Sequence, residues 1–213
     1  MFYEDEPKSQ LRLGDVLKGF VTTDIQITKP ISNLDDPENN FKINVVLPLY
    51  SVILTPCCSI EKGSITISPL MKVRADFFKN EHFKEKLTII NCKMSPDKML
   101  PKKRWDKLPA ETQTERMANG ERYALNNLFV YDKHDQLKEY SLTKRIIKYY
   151  MIDFKNVIYL KCNIQRKGKQ QNIHKDMINA KILQLTPFAR KDLRKKLSEY
   201  YYRAAEEDLE FIS

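Results

Sequence analysis

The chain has 213 residues, of which 42% are hydrophobic and 10% aromatic. That is enough apolar material for one sizeable core, or one core with a large insertion, while only 5 glycines and 10 prolines exclude a fibrous or low-complexity chain. The formal net charge of +9 favours polyanionic partners through counterion release.

The charge is unevenly placed. Residues 1–60 carry 5 Lys+Arg against 8 Asp+Glu, a net of −3, and residues 61–213 carry 32 against 20, a net of +12. No repeat period is visible. The opening "MFYEDEPKSQLRLGD" is acidic and polar, without the basic and apolar regions of a secretory signal. The longest apolar stretch, 43–54, is interrupted by Asn44 and Pro48 and is far short of the ~20 residues that span a bilayer. These features predict a soluble, cytoplasmic protein with no membrane contact, its four cysteines held as reduced thiols.

In chain order, residues 1–10 read as a flexible tail. "LGDVLKGFVTTDIQI" reads as strand, entered by a turn at Gly14-Asp15. "SNLDDPENN" is a polar connection. Residues 43–54 are the strongest strand, apolar enough to be buried on both faces, with Pro48 splitting it or marking a bulge. A turn at "EKGS" leads to strand 65–73, so the two strands read as an antiparallel meander. From Ala75, "ADFFKNEHFKEKL" reads as helix. Residues 94–123, with Lys102-Lys103-Arg104 and no strand periodicity, are either a long excursion from the core or a small helical insert.

"ALNNLFVYD", "YYMIDFKNVIYLKCNI" and "AKILQLT" return to strand composition, with "QRKGKQQNIHKD" as a polar, basic loop. The last element is a helix. Thr186 is the N-cap and Pro187 the first helical residue, where its missing N–H costs nothing. Leu185, Ala189, Leu193, Leu197, Tyr200 and Ala204 make an apolar stripe. Arg190, Lys191, Arg194 and Lys195 fall on the other side, and the acidic end frays against the helix dipole. This order suits a small, strongly bent sheet or β-barrel with helical decorations.

Residues with chemical potential are few. Cys57-Cys58 follows the strongest strand. A nucleophilic cysteine needs a histidine, a cation or a helix N-terminus to lower its pKa, and His82, His134 and His174 all lie in polar segments. The adjacent pair is either a reactive site, with Cys58 as the catalytic candidate, or two small side chains at a strand end. The spacing of Cys57, Cys58, Cys92, Cys162 and His174 lacks the paired ligands of a zinc site, so no metal is predicted. Without any nucleotide-cradling glycine motif, no cofactor is predicted either.

Basic and basic-aromatic stretches remain. In "PKKRWDK", Lys102, Lys103, Arg104 and Lys107 flank Trp105, a mix that can hold phosphates and stack on a base, or an exposed loop that Trp105 anchors to the core. Arg166, Lys167 and Lys169 in the later loop, and Arg190 and Arg194 on the final helix, complete the candidate nucleic-acid contacts.

Taken together, "LRLGDVLKGF", "VILTPCCSI" followed by "ITISPL", "YYMIDFKNVIYL" and "KILQLTPFARKDLRKKLSEYYYR" resemble a group of small bacterial proteins. In these, a Gly-Asp strand precedes a strand ending Ser-x-x-Cys-Asp, and the chain closes with a Leu-Ser-Pro helix. Their layout is in turn similar to the PemK/MazF-type toxins. The resemblance covers about half of the chain and has no counterpart for 75–123. Thr55 takes the place of the Ser, Cys58 matches the Cys, and Ser59 stands where the acidic residue would be. The arginine that precedes the strand in ribonucleases of that type is absent, since Leu49-Tyr50 precede "SVILT".

The fold implied is α+β and mainly β: a small SH3-like barrel with strands in about 11–73 and 124–186. To it are added a helical insertion at about 75–123 and a C-terminal helix at about 187–206. The function implied is a non-enzymatic binding module for DNA, RNA or a protein partner, inside a bacterial toxin–antitoxin or phage-defence assembly. A divergent ribonuclease, a Cys58-dependent enzyme, and a structural adaptor docking on an ATPase or nuclease are the alternatives.

Overall fold

The computed structural model describes residues 1–19, 22–27, 41–46, 48–56, 59–60, 64–80, 83, 86–91, 99–119, 121–140, 145–161, 163–166 and 169–209, some of them by backbone alone. The first half holds β1 (Val16–Lys18), β2 (Thr22–Ile27), β3 (Phe41–Val46), β4 (Tyr50–Ile53), β5 (Ser64–Pro69) and β6 (Met71–Lys72). Then come α1 (Ala75–Lys79), a 3-10 helix (Leu87–Asn91), β7 (Met99–Pro101), α2 (Lys102–Trp105), α3 (Ala110–Ala118) and β8 (Arg122–Ala124). The strands β9 (Leu128–Tyr131), β10 (Lys138–Tyr140), β11 (Arg145–Ile147), β12 (Tyr150–Asp153), β13 (Ile158–Lys161), β14 (Asn163–Arg166) and β15 (Lys169–Asn172) follow. The chain continues through α4 (Ile173–Ala180), β16 (Lys181–Leu183) and α5 (Pro187–Leu209).

Two antiparallel sheets form the centre. One has the order β13-β5-β4-β1-β16 and the other β6-β12-β9. One length of chain serves both: β5 pairs with β4 and β13, and two residues later β6 pairs with β12. The change of sheet falls at Pro69-Leu70, where the proline has no N–H to continue a ladder and Leu70 N–H donates to Tyr50 O at 2.9 Å. The hairpins β2-β3, β10-β11 and β14-β15 and the parallel pair β7-β8 stand outside these sheets.

Alternation along the strands sorts side chains into layers. Val16 and Val52 point to one cluster, which they share with Phe129, Tyr131, Tyr150 and Ile152 of the smaller sheet. The two sheets therefore face each other across it. Their neighbours Leu17 and Ile53 point the other way, joining Ile65, Ile67 and Met177 of α4. Val130 and Met151 point to the outer face of the smaller sheet, where Phe77, Phe83, Leu87, Trp105 and Tyr123 cover them. The order of layers is α4, large sheet, small sheet, then the elements of 75–123. The α5 residues Ala189 and Leu193 pack against the layer between the sheets.

This is a mixed α+β protein, and among the described residues the strands do not close into a barrel. The ladder ends at β13 on one side and β16 on the other. The split of 43–54 at Pro48 and the antiparallel β4-β5 meander are as expected. So is the capped start of α5, where Ala189 N–H donates to Thr186 Oγ1 at 3.4 Å.

Other expectations change. Residues 1–4 are docked rather than a flexible tail: Tyr3 bridges Leu185 and is 6% exposed, and Glu4 N–H donates to Gln184 O at 2.9 Å. The strand expected over 13–27 becomes β1 and β2, parted at Gly19 with its φ of +70°. The basic loop after β13 is the hairpin β14-β15 followed by α4. The insertion is not purely helical, because the paired strands β7 and β8 bracket α2 and α3. No helix among the described residues is long and apolar enough to cross a membrane.

Candidate nucleic-acid interface

Two places gather the cations singled out from sequence. The first is a cavity of about 460 Å³ built by the 75–123 elements. Its aromatic lining is Phe77 from α1, Trp105 from α2 and Tyr123 from β8, with Met117 and Leu125 beside them. The rings pack on one another, with Trp105 and Tyr123 centroids 5.9 Å apart. The parallel β7-β8 pair delivers Tyr123 next to α2, and Gln113 Nε2 ties α3 to the end of α2 by donating to Trp105 O and Leu108 O.

The cavity's charged groups come as two similar pairs. Lys102 Nζ lies 2.6 Å from Asp106 Oδ2 and 5.4 Å from the Tyr123 ring centre. The Arg74 guanidinium lies 3.7 Å from Asp76 and 5.0 Å from the Phe77 ring centre. Asn80 Nδ2 donates to the Tyr123 hydroxyl at 2.6 Å. Burial raises the Tyr123 pKa, opposed by the Asn80 hydrogen bond and by Lys102.

The second place is the outer side of α5. Lys191, Arg194 and Lys195 are exposed, and their i, i+3, i+4 spacing puts them on one helix face. A cavity of about 430 Å³ beside this helix is lined by Lys86, Lys195, Lys196, Asp192 and Glu199, which brings Lys86 to the same region. Lys196 itself is 5% exposed, and its Nζ donates to Ile90 O. Among the described residues, no acidic side chain pairs with Lys191, Arg194 or Lys195.

The sequence candidates divide accordingly. Lys102 and Trp105 meet in the first cavity, and Arg104 and Lys107 are exposed nearby in the chain. Trp105, only 3% exposed, is an anchor of the cluster under the smaller sheet as well as a wall of the cavity. Arg194 is on the exposed helix face, but Arg190 is not. It is 8% exposed and its Nη2 donates to Leu185 O at 2.7 Å, so its charge serves the helix start rather than the solvated side. Arg166 and Lys169 lie on β14 and β15 and Lys103 on α2, with only their backbones described. Lys167 and all four cysteines, including Cys57 and Cys58, lie outside the described residues.

One buried charge cluster escaped sequence reading. Asp15 is 0% exposed, with Lys181 Nζ at 3.2 Å and Arg12 N–H donating to its Oδ2 at 2.8 Å. Lys181 Nζ also donates to Lys8 O and Gln10 O, tying the N-terminal segment to β16. Burial pushes the Asp15 carboxyl up to about 6, against the pull of Lys181, the Arg12 hydrogen bond and Arg190. The Gly14-Asp15 pair had read only as a turn. The available hint was an acidic residue placed immediately before an apolar strand.

Fold and surface define an α+β protein with a basic helix face and a separate aromatic cavity. No family model matches the chain, and neither a curated protein nor a solved structure matches it. The likeness to PemK/MazF-type toxins rests on the quoted segments alone.

Proposed function

We propose that this chain is a non-enzymatic nucleic-acid-binding module, with α5 as the element that meets the phosphate backbone. One observation carries the reading: Lys191, Arg194 and Lys195 stand exposed on one helix face without acidic partners among the described residues. Cations already paired to carboxylates must break those pairs to reach a phosphate, whereas these three need not. The net charge of +9 works in the same direction. Membership of a toxin–antitoxin or phage-defence assembly is part of the proposal and rests on the resemblance.

Fluorescence anisotropy with labelled RNA and DNA, titrated over a range of salt, tests it. Each phosphate contact contributes a slope of about −0.9 in log K against log salt for duplex DNA, and about −0.7 for a single strand. Three contacts give about −2 to −3. The triple variant K191E/R194E/K195E is expected to bind at least about tenfold more weakly, with a shallower slope. Absence of binding at low salt overturns the reading and leaves the adaptor alternative, with an acidic protein surface facing α5.

A further inference from the structure

We propose that the cavity lined by Phe77, Trp105 and Tyr123 binds a single nucleotide, its base against the aromatic lining and its phosphate at Lys102 and Arg74. The inference rests on the nucleic-acid reading and adds to it a site on a different part of the molecule. In a strand held by α5, the occupant would be an unpaired nucleotide.

Three features select this chemistry. The cavity volume, about 460 Å³, falls in the range of small-ligand sites rather than ion sites. The lining combines flat apolar surface with amide, carboxylate and cationic groups. A simple anion would leave the aromatic surface unused, and a hydrocarbon would leave the polar groups unused. A nucleotide uses both: its phosphate draws Arg74 and Lys102 off the Phe77 and Tyr123 rings they cover, its base takes their place against those rings, and its edge groups meet Asp76 and Asp106.

The third feature excludes a cationic guest, such as a partner's lysine. Aromatic-lined sites that take ammonium groups offer open ring faces. Here Arg74 already lies over Phe77 and Lys102 over Tyr123, so an incoming cation would meet like charge. These resident cations are only loosely held. Their carboxylate partners are exposed, with side chains 70% accessible at Asp76 and 53% at Asp106. Solvent-screened pairs of this kind contribute little, so a phosphate can draw both cations away at small cost.

Trp105 is the chain's only tryptophan, so its indole N–H resonance reports on the cavity without mutation. The full chain is titrated with AMP, GMP, CMP and UMP, and separately with ribose 5-phosphate, while NMR follows that resonance. The nucleotides are expected to shift it saturably and the base-free sugar phosphate to leave it in place. Lys102→Ala and Arg74→Ala, both at exposed side chains, should weaken nucleotide binding about tenfold each, the scale of one lost charge-assisted hydrogen bond.

The two proposals fail separately. Salt-dependent oligonucleotide binding with no response of Trp105 to any mononucleotide overturns the cavity site and leaves α5 as the interface. Equal shifts from ribose 5-phosphate and nucleotides also overturn it, since the base would then contribute nothing. Saturable mononucleotide binding that survives K191E/R194E/K195E supports the cavity, even if oligonucleotides fail to bind and the α5 reading falls.

Discussion

Replacing Asp15 by asparagine keeps the outline of the side chain and removes its charge. In the folded protein this carboxyl is pushed up to about 6 from an ordinary value of 3.8, chiefly by burial. Between those two values the folded chain holds the proton more firmly than the unfolded chain. Stability therefore falls as pH rises through the window, and the loss is complete above pH 6. A shift of about two units, at 1.36 kcal/mol per unit, corresponds to about 3 kcal/mol. The asparagine variant does not incur this loss. Its unfolding free energy minus that of the parent should climb by about 3 kcal/mol between about pH 4 and pH 7. Urea unfolding followed by circular dichroism gives both curves, and groups titrating alike in the two proteins cancel. A difference that stays flat, or falls, would show that Lys181 and Arg190 outweigh burial, and the reasoning about this site would be wrong.

Two further substitutions probe the backbone around that site. Gly14 has φ +86°, and an added Cβ would sit 2.4 Å from Leu185 Cδ1 and 3.0 Å from Leu193 Cδ2; Gly14→Ala should cost about 2–4 kcal/mol from strain and overpacking together. Gly19→Ala is its control. The φ there is +70° with nothing within 4 Å of the added atom, so only the conformational cost of about 1 kcal/mol applies, and equal losses at both sites in denaturant titrations would refute the packing explanation. Thr186→Ala removes the oxygen that accepts from Ala189 N–H and should lower the melting transition by the equivalent of about 1 kcal/mol. An unchanged transition would mean that the docked N-terminal residues hold the helix start without it.

Local chemistry made part of the fold readable. Pro48 cannot donate to a ladder, so the break between β3 and β4 is visible in the chain itself. Thr186-Pro187 likewise announces α5. What could not be read depends on partners far away in sequence. The first half of helix α4 continues the polar run of 165–176 and so reads as loop, yet Met177 in its second half is 0% exposed against the large sheet. Arg190 fits a solvated basic face by helical spacing, but the carbonyl of Leu185 and the nearby Asp15 give it a reason to be inside.

The candidate site shows the same division. "PKKRWDK" was recognisable as a mix of cations and an aromatic ring, whereas its meeting with Phe77 and Tyr123 depends on a parallel β7-β8 pairing that no local pattern encodes. Asp15 became a buried ion pair only when Lys181, from the far end of the chain, arrived beside it.

The position of β1 has a consequence for how the protein is made. It lies between β4 and β16, so one of its two neighbours, Lys181–Leu183, is synthesised long after Val16–Lys18. At about 5–20 residues per second, residues 181–183 follow β1 out of the ribosome by on the order of 10 s or more. Throughout that interval β1 can pair with β4 but presents an open edge on its other side, the kind of edge that recruits foreign strands. Residues 1–4 wait as well, because their partners are at 184–186. The nascent chain must therefore carry an unfinished sheet until β16 emerges, and a stall before β16 would leave a product whose open edge invites aggregation.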